Sequence, residues 1–200
     1  MPLSRASEDP DVALMLRVRG GDEDAFRELF RRHCPHVLRF VRRHVGEGAI
    51  ADELVQDVFT QMYRARERYR PEARFTTWLY TIALNVCRNE RRRPEHQLRV
   101  RSDRQEEGES GLDPILDPVD DAAPTAEEVV AGQELEGRLR AALQRLPEKQ
   151  RSALLLSRVD GLAYRDVASV LGCSEGAVKA LLFRATQTLK RDLQHLLGER

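Results

Sequence analysis

No apolar run in these 200 residues approaches the length of a membrane span, so integral membrane insertion is excluded. The opening residues, MPLSRASEDPDV, lack an apolar signal core. A cytoplasmic chain is expected. Cysteine is scarce: Cys34, Cys87 and Cys173 lie far apart, with no Cys-x-x-Cys, so neither a zinc knuckle nor a disulfide framework is indicated. His33-Cys34-Pro35-His36 is the one cluster with ligand chemistry, and it reads as a polar helix edge beside a kink rather than as a metal site. There is no glycine-rich loop with a phosphate-binding lysine, no metal-ligand pair at helical spacing and no nucleophile–base arrangement. The expectation is a protein that is not an enzyme and needs no cofactor.

Net charge is also missing, with 33 basic against 33 acidic residues. The distribution matters more than the sum. Residues 1–100 hold 19 Lys+Arg against 15 Asp+Glu, residues 101–137 hold 2 against 12, and residues 138–200 hold 12 against 6. Two basic ends flank an acidic middle, a pattern compatible with a polyanion partner.

Helical periodicity is abundant. Pro10 to Arg19 reads as a short helix stopped at Gly20-Gly21, and Asp22 is placed to cap a second helix running from Glu23 toward Val45. Pro35 should kink or split that second helix. Ile50 to Arg68 gives a third run. Leu54, Val55, Val58, Phe59, Met62 and Tyr63 form its apolar stripe, and Asp52, Glu53, Gln56, Asp57 and Gln61 its polar face. Tyr69 to Ala73 is a loop.

Arg74 to Arg93 is the richest stretch. Phe75, Trp78, Leu79, Ile82, Ala83 and Val86 make an apolar stripe, while Thr77, Thr81, Asn85, Arg88 and Arg92 share the other side. Residues 64–93 carry 9 Arg against 3 Glu, interleaved with aromatic residues. Cation plus ring is the chemistry that holds unpaired bases, guanidinium for phosphate and ring faces for stacking. Trp78, the only tryptophan, is assigned mainly to the core.

Residues 94–133 are rich in Asp, Glu, Gly and Pro, with apolar residues scattered singly, and read as a flexible acidic linker. Helical pattern resumes from Glu134 to Leu146, and Pro147 opens another helix. Residues 162–179 then follow the pattern of a DNA-binding helix-turn-helix. Val167, Ala168 and Leu171 point inward, Gly172 makes the turn, and Ser174 caps a last helix that presents Lys179, Ala180, Phe183, Arg184 and Gln187 outward. The fold class expected is all-α: two small helical domains, 1–93 and 134–200, joined by the acidic linker 94–133.

DELVQDVFTQMYR (52–64), RFTTWLYTIALNVCRNERRR (74–93) and the segment 146–185 together resemble a bacterial sigma factor of the extracytoplasmic-function class, in the sigma-70 family. They stand in the family's order: polymerase-binding helix, −10 recognition segment, −35-reading domain. The resemblance implies a subunit that binds RNA polymerase core, through the β′ clamp and the β flap, and directs it to promoter DNA. Asp52, Glu53, Gln56 and Asp57 would dock on the clamp. Tyr69, Arg74 and Phe75 would hold a flipped −10 base, and Thr77, Asn85, Arg88 and Arg92 would line the path of the non-template strand. Ser174, Lys179, Phe183 and Arg184 would face the −35 duplex. An anti-sigma partner is also implied. The family often has Ser-Arg where this chain has Ala180-Leu181, so readout should lean on Lys179, Arg184, backbone contacts and DNA shape. The alternative reading is a stand-alone helix-turn-helix regulator, in which residues 1–93 serve dimerisation or sensing.

Overall fold

A computed structural model describes residues 9–46, 49–93 and 126–197. Among these residues every regular element is helical. The N-terminal half comprises α1 (Pro10–Arg19), α2 (Glu23–Val45), α3 (Ala49–Arg64) and α4 (Phe75–Arg92), with a 3₁₀ turn at Arg66–Arg68. The C-terminal half comprises α5 (Ala126–Arg145), α6 (Glu148–Leu154), a π turn (Leu155–Val159), α7 (Tyr164–Leu171) and α8 (Glu175–Leu197).

Local chemistry sets these boundaries. The Asp22 carboxylate accepts from the Ala25 amide at 3.0 Å, satisfying an orphan donor at the start of α2. Asp9 does this for two helices at once. Its Oδ1 accepts from the Asp11 amide at 3.0 Å and its Oδ2 from the Phe75 amide at 3.0 Å, so one side chain ties the start of α1 to the start of α4. Gly172 ends α7 at φ 62°, a left-handed conformation that a β-carbon would strain.

Three expectations change. The second helix is not split by Pro35; it runs as one helix from Glu23 to Val45. Leu29 on one side of the proline and Val37, Phe40 and Val41 on the other are all buried, so packing along both segments offsets the lost backbone bond. The third helix stops at Arg64, and the last turn of the anticipated run is 3₁₀. Of the presumed linker, residues 126–133 belong to α5, where Ala, Glu and Val continue the helix and no proline interrupts it. Residues 94–125 of that linker lie outside the described residues.

The apolar stripes meet as intended. Met15, Leu29, Val41, Val58, Met62, Phe75 and Leu79 are all essentially inaccessible to solvent. The same continuous core extends into Leu155, Leu156, Val167, Val178 and Leu182 of the C-terminal half. The two halves therefore pack directly on one another, with α4 against α7.

Candidate nucleic-acid interface

α4 is buried on two sides, not one. Phe75, Leu79, Ala83 and Val86 form the anticipated stripe. Thr77, Tyr80, Leu84 and Cys87, spaced three, four and three residues apart, make a second buried flank. On that flank Tyr80 meets Phe40 of α2 at 5.1 Å between ring centroids. Its hydroxyl feels the Asp160 carboxylate, in the turn before α7. Burial pushes the Tyr80 phenol up, and the Asp160 charge adds to the effect. The Asp160 carboxyl is pushed up to about 6 by burial, against the opposing pull of the Tyr80 hydroxyl, Arg43 and Arg39.

The side of α4 assigned to a nucleic-acid strand is divided. Asn85 and Arg92 are exposed, as is Arg74 just before the helix. Arg88 is half-buried, and its Nε donates to Glu148 Oε1 of α6 at 2.5 Å. Thr77 is 4% exposed, inside the helix packing. Below Arg88, Arg91 Nη1 donates to the His44 backbone carbonyl at 3.5 Å. The His44 imidazole is fully enclosed, and its pKa is pushed down to about 3 by burial and then by Arg91 and Arg88. At neutral pH it adds no charge to the site.

The aromatic rings at the start of α4 face inward. Tyr69 is 1% exposed and Phe75 is fully buried. Tyr69 lies edge-on to Trp78 at 4.8 Å, and Phe75 stands 5.1 Å from the His33 ring. Burial raises the Tyr69 phenol to about 12. Neither ring face is open to a base in this arrangement. Trp78 is partly buried against the same core, as expected for a packing residue.

Asp52, Glu53, Gln56 and Asp57 are all exposed on one side of α3, while Leu54, Val55, Val58 and Phe59 fill the other. Asp52 stands 3.8 Å from Arg42. In the helix-turn-helix, the Ser174 hydroxyl accepts from the Ala177 amide at 3.2 Å, so its oxygen is engaged in capping α8. Lys179, Ala180, Phe183 and Arg184 are exposed along α8, and Phe183 is the most exposed of the large apolar side chains described, at 66%. Arg184 Nε rests on the Ala180 carbonyl at 3.2 Å.

His33 and His36 do not converge on a metal. His33 Nε2 lies 2.8 Å from Asp11 and His36 Nδ1 lies 3.4 Å from Arg39. Among the described residues no group of three or more His, Cys, Asp or Glu is placed to hold an ion. Among the same residues no helix is long and apolar enough to cross a membrane.

Glu148, Tyr80 and Asp160 were not singled out by the sequence pattern. Tyr80 lies off the apolar stripe, and its partner is 80 residues away in the chain. The only local signal was the apolar Leu84 and Cys87 on the same flank.

Comparison with known proteins agrees with the geometry. The model of Sigma-70 region 2 matches residues 29–96, and that of Sigma-70 region 4 matches residues 136–189. The chain is 32% identical to the RNA polymerase sigma-H factor of Pseudomonas aeruginosa, over 96% of this chain and 98% of that one. It is 37% identical to the RNA polymerase sigma factor CarQ of Myxococcus xanthus, over 92% and 96%. It is 32% identical to the ECF RNA polymerase sigma-E factor of Escherichia coli, over 94% and 96%. The fold is similar to that of CnrH, solved in complex with the cytosolic domain of CnrY, with a TM-score of 0.66 and 24% identity over 94% of this chain and 99% of that one.

Proposed function

Because the chain belongs to the extracytoplasmic-function class of the sigma-70 family, we propose that its exposed faces divide the work of promoter-directed initiation. The protein binds RNA polymerase core and directs it to promoters; the covalent chemistry belongs to the polymerase. In this reading residues 1–93 and 126–200 act as separate working units and residues 94–125 as the tether between them.

Asp52, Glu53, Gln56 and Asp57 form the docking surface for the β′ clamp, where an acidic helix side meets a basic partner. Lys179, Phe183 and Arg184 face the −35 duplex from α8, with Ser174 fixing the helix start. Lys179 supplies phosphate or base-edge charge, and the Phe183 ring supplies apolar contact of the kind made with a thymine methyl. Arg74, Asn85, Arg88 and Arg92 carry the opened −10 strand. Tyr69, Phe75 and Thr77 hold the loop and the start of α4 in place behind those contacts. Unstacking costs a few kcal/mol per base step, which strand capture and the polymerase clamp together must offset. Neither DNA contact needs to be tight alone, since binding to one polymerase raises the effective concentration of both.

We also propose a cytoplasmic location and an anti-sigma partner. CnrH was solved with the cytosolic domain of CnrY, and the Bartonella quintana RpoE with the anti-sigma factor NepR.

The observation that supports this reading most is the presence in one chain of both family regions, in order, with Asn85 and Arg92 exposed on the helix between the acidic surface and the helix-turn-helix. Arg92→Ala tests the strand-facing role. Open-complex formation, read by permanganate footprinting, should fall about tenfold, in line with loss of one charge-assisted phosphate contact. Binding to core polymerase should stay within about twofold of the unsubstituted protein. Equal loss in both assays would move Arg92 off the strand path.

A further inference from the structure

We propose that Asp9 is a positioning residue for −10 recognition: its carboxylate fixes the end of the 69–74 loop and the start of α4, and base preference depends on that tie. The proposal rests on the strand-binding reading of α4 given above. Asp9 and α1 lie ahead of residues 29–96, the stretch matched by the region 2 model.

The start of α4 has no cap of its own. Arg74 stands at the N-cap position without a side-chain hydrogen bond, and no acidic residue lies in the first turn. The unpaired amides of a helix start favour a carboxylate. Asp9 supplies one from 66 residues away, its Oδ2 accepting from the Phe75 amide at 3.0 Å. Its Oδ1 accepts from the Asp11 amide at 3.0 Å and so caps α1. Pro10, the first residue of α1, has no amide to compete for the carboxylate. Two oxygens aimed in different directions serve both helices, and a side chain with one oxygen serves only one.

The first turn of α1 grips Phe75 a second time, by its ring. Asp11 Oδ2 lies 2.8 Å from His33 Nε2, and the His33 ring stands 5.1 Å from the Phe75 ring. Asp11 Oδ1 accepts from Arg32 Nη1 at 2.9 Å, which steadies the carboxylate. At the other end of the loop the Tyr69 ring is buried, 4.8 Å from Trp78 and 6.5 Å from Phe75. α1 also packs on the 3₁₀ turn just before Tyr69. Both ends of the loop are therefore pinned, while Arg70, Glu72 and Arg74 between them stay exposed.

Releasing the Phe75 amide frees the loop end and the helix start together. Asn85 and Arg92 lie farther along the same helix, so a shift at its start carries them with it. A displacement of about 1 Å is enough to degrade a preorganised site, even with every contacting side chain still present. The docking acids are held by the buried stripe of α3, and Lys179 and Arg184 stand on α8, so the effect falls on −10 readout.

Run-off transcription with core polymerase tests this on a promoter at which the protein initiates and on its single-base −10 variants. Asp9→Ser keeps a good cap for α1 but has one oxygen. Its preference for the parent −10 sequence over the variants should shrink about fivefold, the ratio set by the net contribution of one hydrogen bond. Binding to core polymerase should stay within about twofold of the unsubstituted protein. Asp22→Ala removes the same kind of cap from α2 and is the stability control, with base preference retained. Trp78, the only tryptophan, reports on the loop independently, and its emission should move to the red in Asp9→Ser but not in Asp22→Ala. Asp9→Asn, equal in size but with one acceptor oxygen, takes the place of Asp9→Ser if circular dichroism shows lost helix. An unchanged base preference or an unmoved Trp78 emission overturns the positioning role. Equal loss of preference in Asp22→Ala overturns it too, since any lost cap would then have the same effect. Arg92→Ala, assayed alongside, separates the failures. Full open-complex formation in Arg92→Ala overturns the strand-binding reading and this proposal together; impairment there with Asp9→Ser unchanged overturns this proposal alone.

Discussion

Phe75→Ala should lower unfolding free energy by about 3–5 kcal/mol, the range for truncating a fully buried aromatic side chain. The ring is inaccessible to solvent and stands among Tyr69, Trp78 and His33. Its removal leaves a cavity where the end of the 69–74 loop meets the core, and the amide of the same residue is held by Asp9. For a chain of this size the melting temperature should fall by roughly 10 °C, measured by circular dichroism. A ring whose sole work is to stack on a captured base would behave otherwise. Its loss would abolish open-complex formation and leave the melting curve where it was. The variant therefore separates a packing role from a recognition role, which initiation assays alone do not.

Asp57→Arg should weaken binding to core polymerase about 30-fold or more while leaving stability unchanged. Asp57 sits with Glu53 and Gln56 on the exposed side of α3, opposite the buried Leu54, Val55 and Val58. Reversing one exposed charge costs little in folding. Against a basic partner surface it replaces an attraction with a like-charge contact, which costs several kcal/mol when the groups are brought together. The dissociation constant is read by fluorescence titration of labelled protein with core. Binding within twofold of the unsubstituted chain would show that the docking surface lies elsewhere. The effect should shrink as salt is raised, because exposed charges are screened within about 8–10 Å at physiological ionic strength.

Most of the helical architecture was legible in the residues because it depends on short-range patterns. The stripes of α3 and α4, the cap at Asp22, the left-handed Gly172 and the Ser174 cap are decided within a few residues of each position. Pro35 does not split α2, because tertiary packing of Val37, Phe40 and Val41 holds the helix beyond it. The second buried flank of α4 was legible only in its apolar Leu84 and Cys87. Tyr80 and Arg88 meet Asp160 and Glu148, which follow 60 or more residues later, and nothing near them in sequence announces those partners.

The candidate site was legible to a different degree at each residue. Exposure of Asn85 and Arg92 agrees with the polar side read from the periodicity. Tyr69 and Phe75 show why composition alone is a weak guide, since an aromatic residue near arginines serves equally well as core. For Phe75 the sequence carried both signals, because the residue already stood on the apolar stripe of α4. Glu148 is the opposite case. Its carboxylate looked like an ordinary first-turn helix residue until the fold brought it to Arg88.

The central claim is that this chain gives RNA polymerase its promoter choice, and run-off transcription tests it most directly. Purified core polymerase is supplied with promoters from the same genome, with and without the protein. The account predicts that initiation at a subset of those promoters appears only when the protein is added, and that core alone gives none. Initiation unchanged at every promoter, together with tight duplex binding by the free protein, would contradict it and leave a stand-alone helix-turn-helix regulator.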